Sequence, residues 1–135
     1  MTIQLSVTVR NARLDAIETT VGTSAILKIR SGSVPANCAA ADSGTVLATV
    51  SCPSDWLAAA SSGSKSKSGT WEDTSADATG TAAHFRLYAS DGTTCHMQGT
   101  VTATGGGGDM TVDNTSFASG QPFTVTGFTL TDGNA

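Results

Sequence analysis

Charge is scarce in this chain. Asp, Glu, Lys and Arg make up 13% of its 135 residues, against a usual share of about 25%, and the formal net charge is only −4. Ser, Thr and Gly must therefore carry the solubility, and they suit turns and strand surfaces better than long helices. No basic run exists. The closest lysines, Lys65 and Lys67, stand inside a Ser/Gly segment, whereas gripping a phosphate backbone takes clustered Lys and Arg. Nucleic acid is thus not an expected partner. Long apolar runs are missing too: none approaches the ~20 residues of a membrane span. The opening MTIQLSVTVRN has no basic stretch followed by an apolar one, so neither a membrane nor a secretory signal is expected. Cysteine is sparse and odd in number. Cys38, Cys52 and Cys95 show no CxxC spacing, which argues against a disulfide framework and leaves small buried thiols as the expectation.

Catalytic constellations are also wanting. Cys95 and His96 are adjacent, but neighbours on a strand project to opposite faces, so thiol and imidazole do not meet. His84 and His96 share a face at roughly 13 Å, taking ~3.3 Å per residue. With no second cysteine or carboxylate beside them, a zinc site is not expected, and solvated or interface positions are. Glu72 and Asp73 form the only adjacent acidic pair. Asp77, Asp91 and Asp109 sit in Gly/Ser/Thr stretches where Asp serves the turn, so two carboxylates flanking a cleft, as glycoside hydrolysis needs, do not assemble. The run Gly105 to Gly108 lacks the strand, lysine and helix of a phosphate loop. Neither an enzyme nor a cofactor is expected. Trp56 and Trp71 are the only tryptophans; they are expected to plug a small core, with a sugar-stacking platform at Trp71 as the alternative.

What the chain does have is alternation. In Ala83 to Thr104, Phe85, Leu87 and Ala89 alternate with His84, Arg86 and Tyr88, the period of a half-buried strand. A turn at Asp91-Gly92-Thr93 leads into a second alternating run. A two-residue loop would set Leu87 against His96, mixing the faces. A three-residue loop pairs Ala89 with Cys95, Leu87 with Met97 and Phe85 with Gly99, which keeps one face apolar. Further strands are expected at 25–30, 44–52, 109–112 and 121–130, with a β-bulge at Gly127 where the apolar parity switches. The segment 54–60 suits one or two helical turns capped by Ser54. SSGSKSKSG, residues 61–69, has the composition of an exposed flexible loop.

Near the start, Ile3, Leu5, Val7 and Val9 alternate, which alone would mean a strand. Leu14, Ile17 and Val21 instead fall at helical spacing, Ser6 suits an N-cap and Gly22 a C′ glycine. A helix over roughly 7–20 is predicted. The whole is read as a single domain, 1–135: mainly β, an antiparallel β-sandwich or jelly-roll-like body over 23–135, with an N-terminal arm and helix in 1–22.

Three stretches carry a resemblance: VRNARLDAIETTVGTSAILKIRSGSVPANCAAADSGTVLATV, SADATGTAAHFRLYASDGTTCHMQGTV and DMTVDNTSFASGQPFTVTGFTLTDG. Together they cover most of the chain, which resembles small structural proteins of tailed bacteriophage virions. The resemblance implies a non-enzymatic virion protein, made in the host cytoplasm without a signal. It would be either a capsid decoration (cement) protein or a small tail component. Its expected partners are the major capsid protein or other virion proteins, with assembly as a homo-oligomer such as a trimer. The expected contact elements are the helix, through Leu14 and Ile17, and the 61–69 segment, with Lys65 and Lys67. The alternative is a tail or adhesin-type module that binds host surface glycan through Trp71.

Overall fold

The computed structural model describes residues 3–133. One helix, α1 (Val7–Val21), precedes ten strands: β1 (Ile26–Arg30), β2 (Val46–Ser51), β3 (Ser64–Ser66), β4 (Glu72–Asp73), β5 (Gly80–Thr81), β6 (His84–Tyr88), β7 (Cys95–Ala103), β8 (Met110–Val112), β9 (Ser116–Phe117) and β10 (Phe123–Thr131). Among the described residues the fold is mainly β, a curled sheet of sandwich-like form with a single N-terminal helix. The main sheet runs β2-β1-β6-β7-β8-β10-β3, and β4 also pairs with β10. Its β2 edge is not left open. Thr49 N donates to Asp73 Oδ2 at 3.0 Å, and Asp77 N to Leu47 O at 2.8 Å. The 73–78 segment thereby blunts an edge that would otherwise invite pairing with another chain.

Inside the curl lies a row of aromatic rings. Trp56 and Trp71 stand 6.0 Å apart, Trp71 and Phe128 5.5 Å, and Phe128 and Phe85 5.7 Å. Both tryptophans are fully enclosed, and each still satisfies its indole N–H, Trp56 on Gly22 O and Trp71 on Ser68 O. Burial of four large rings supplies much of the apolar area available to a chain with so few aromatics.

The helix forms where its end signals place it. The Ser6 hydroxyl accepts from Val9 N at 3.2 Å, and Gly22, at φ +90°, closes the last turn on Glu18 O. Helical spacing wins over the strand alternation at 3–9 because it buries Leu14 and Val21 together. The β6–β7 hairpin keeps the expected pairs Leu87–Met97 and Phe85–Gly99. The pair Ala89–Cys95 gives way to Tyr88–Cys95 through a bulge after Leu87. The bulge at Gly127 is present in the β8–β10 pairing.

β7 and β8 run parallel although only residues 104–109 join them, far fewer than an ordinary crossover uses. The return path lies directly on β7. A Cβ on Gly106 would sit 2.7 Å from the Thr102 side chain, and one on Gly108 2.9 Å from it, so the glycine run is a steric requirement of this tight return.

Two expectations fail here. Residues 54–60 are not helical: Leu57 forms an isolated bridge with Lys67, and Ala58 N donates to Ser66 O. Nor is 61–69 a free loop, since β3 pairs Ser66, Lys65 and Ser64 with Thr129, Leu130 and Thr131. The polar composition of 61–69 disguised a strand whose central side chain, Lys65, is turned inward.

Candidate functional site

A set of polar contacts fastens the helix to the sheet. Lys65 Nζ lies 2.7 Å from Asp15 Oδ1 and 2.9 Å from Glu18 Oε2, with only 2% of its side chain exposed. Asp15 Oδ1 also accepts from Ala60 N, Glu18 Oε1 from Leu57 N, and Asn11 Oδ1 from Gly63 N. Burial works against the Lys65 ammonium, but its bonds to Asp15 and Glu18 outweigh this and raise its pKa. Asp15 is lowered, chiefly by the Lys65 hydrogen bond. Lys65 is therefore a bolt between helix and sheet and is not available to a partner. Leu14 is buried as well. Ile17 is half-buried and lines a shallow groove of about 260 Å³ with Ala16, Val21 and His96. Lys67 is half-buried and donates to Gly69 O. Of the four expected contact residues, only Ile17 and Lys67 keep accessible surface.

Ahead of this seat the helix start is exposed. Val7, Thr8 and Val9 are exposed all round the first turn, and Ile3 just before it is 84% exposed. Three of the four large exposed apolar residues among those described, Ile3, Val7 and Val9, fall within this one stretch; the fourth is Val34.

A second cluster lies beneath the segment 31–45, which covers the outer face of β6. Alternation puts His84, Arg86 and Tyr88 on one face of a half-buried strand, and His84 is expected at a solvated or interface position. All three are buried. Arg86 Nη2 donates to Asn37 O at 2.9 Å, Nη1 to Ala40 O at 3.1 Å, and Nε to Gln98 Oε1 at 3.1 Å; Nη1 also holds the Asp42 carboxylate. Arg30, in register with His84 on the neighbouring strand, reaches Asp42 Oδ2 at 2.8 Å. The Tyr88 hydroxyl donates to Asp42 Oδ1 at 2.7 Å. His84 Nδ1 meets Gly32 O at 2.9 Å, so Nδ1 carries a proton and donates it to the carbonyl. Two arginines thus share one carboxylate.

Burial opposes the Asp42 charge, but bonds from Tyr88 and Arg86 and the charge of Arg30 outweigh it and keep its pKa below the usual carboxylate value. Burial, helped by the bond to Asp42, pushes Tyr88 up to about 12. Desolvation, reinforced by Arg30 and Arg86, lowers His84. These shifts favour a charged Asp42 and neutral Tyr88 and His84; the second ring nitrogen of His84, Nε2, is buried without a hydrogen-bond partner. Chemically the arrangement is a clamp that fixes a loop.

His96, unlike His84, is exposed. Asp91 is lowered to about 2 by hydrogen bonds from the Thr94 side chain and the Thr94 and Thr93 amides, and Asp109 is lowered by bonds from Thr100; both serve turns. Trp71, fully enclosed beside Phe128, offers no face to a sugar. No protein-family model, curated protein or solved structure matches the chain.

Proposed function

We propose that this chain is a non-enzymatic structural protein of a tailed-phage virion, a capsid decoration protein that binds the assembled head and stabilises it. The observation that carries this reading is the exposed apolar start of α1 and the residues just before it. In a chain that encloses both of its tryptophans and all four phenylalanines, Ile3, Val7 and Val9 stand out from a weakly charged Ser/Thr/Gly surface. Grouped exposed apolar side chains mark interaction surfaces more often than scattered ones do. The bolted helix supports the same reading, because a rigid presenting element loses little freedom on binding. The partner is the major capsid protein, approached by a homo-oligomer, with a trimer as the arrangement to test.

The mechanism is linkage. A protein that binds only the closed head adds free energy that the head loses on opening, about 4 kcal/mol at a concentration 1,000 times Kd. Sedimenting empty heads of the phage with the purified protein is the test. Cosedimentation that is lost in the Val7→Asp/Val9→Asp double variant supports the reading. A protein that stays in the supernatant and instead binds host cells would transfer it to the tail.

A further inference from the structure

Cys38 and Cys95 are the two nucleophilic side chains that the fold brings together and that no role described so far employs. Cys38 belongs to the 31–45 segment, which is pinned on both sides of it. Gln98 Nε2 donates to Pro35 O at 2.6 Å, and Arg86 to Asn37 O and Ala40 O. Cys95 opens β7 opposite Tyr88, whose hydroxyl holds Asp42 of the same segment. The two side chains lie within reach of each other. Both are half-exposed free thiols, while Cys52 is buried in the core. We propose that Cys38 and Cys95 form a reversible disulfide that ties the 31–45 segment to β7 when the protein passes from a reducing to an oxidising medium.

The oxidant class is a small disulfide such as oxidised glutathione. The Cys38 thiolate attacks one glutathione sulfur, breaking that S–S bond and releasing one glutathione thiolate. Cys95 then loses its proton and attacks the Cys38 sulfur of the mixed disulfide, expelling the second glutathione. The protein gives up two electrons and two protons, and these end on two molecules of reduced glutathione. The proposal stands independently of the capsid reading.

The test uses the full reduced chain incubated with excess oxidised glutathione, then alkylated in denaturant, digested and weighed. One intramolecular Cys38–Cys95 peptide is expected, with Cys52 alkylated. The Tm should rise by roughly 10 °C, the rise should be reversed by dithiothreitol, and it should be absent from Cys38→Ser and Cys95→Ser. A glutathione adduct that never resolves, a link to Cys52, or a link between two chains overturns the proposal.

Discussion

Replacing Arg86, on β6, with Met should unfasten the 31–45 segment that lies over it. The guanidinium is 2% exposed and joins Asn37 O, Ala40 O, Gln98 Oε1 and Asp42. Hydrogen bonds to a charged group contribute about 1.5–3 kcal/mol each, but they do not add here. Once the arginine is gone, the segment can lift and rehydrate its carbonyls. Asp42 also keeps Arg30 and Tyr88, and its side chain is 40% exposed, which screens part of the charge interaction. The cost is therefore that of one or two hydrogen bonds to a charged group, about 3 kcal/mol, or roughly 10 °C in Tm. Urea unfolding at pH 7 measures the loss, and limited proteolysis should show new cleavage between residues 33 and 43. Arg30→Met, which gives up only Asp42 and Ser43 O, should cost less. A loss under 1 kcal/mol with an unchanged digestion pattern would refute the idea that Arg86 holds this segment down.

Gly44→Ala should be worse tolerated than Gly22→Ala. Both glycines have positive φ, but a Cβ at 44 would lie 1.8 Å from Ser31 O, while at 22 nothing stands within 4 Å. About 3 kcal/mol or more is expected for the former and about 1 kcal/mol for the latter, measured by denaturant midpoint. Lys65→Met leaves Asp15 and Glu18 facing each other without their cation. Because both carboxylates are partly solvated, a Tm fall of roughly 5 °C is expected, with amide exchange accelerating in α1 before β6.

His84 has its folded pKa below the unfolded value, so its contribution is complete above about pH 6.5 and declines as acid protonates the unfolded chain first. The decline should not exceed about 1.4 kcal/mol per pH unit. Asp42, also lowered, contributes above its unfolded value near 3.8 and loses that contribution as pH falls through its folded pKa. Unfolding curves between pH 8 and 5 should therefore slope for the native chain and flatten for His84→Asn.

Local rules made much of the fold legible. Ser6 and Gly22 mark the ends of α1, Leu87–Met97 sets the hairpin register, and the parity switch at Gly127 marks its bulge. The polar interior was not legible. Lys65 sits among serines and glycines whose composition reads as loop, and its partners Asp15 and Glu18 lie on an element far away in sequence. Burial of His84, Arg86 and Tyr88 depends on a covering segment recruited through Asp42. Strand alternation reports which side chains share a face but not whether that face is covered. The one available sign was chemical. Three long amphipathic side chains in alternate positions suit a half-dry surface better than open water.

Thermal opening of empty heads, measured with and without saturating protein, tests the capsid reading most directly. The opening temperature should rise with protein concentration, and the Val7→Asp/Val9→Asp variant should lose that rise while keeping its own unfolding temperature. An opening temperature indifferent to the protein at every concentration would contradict it.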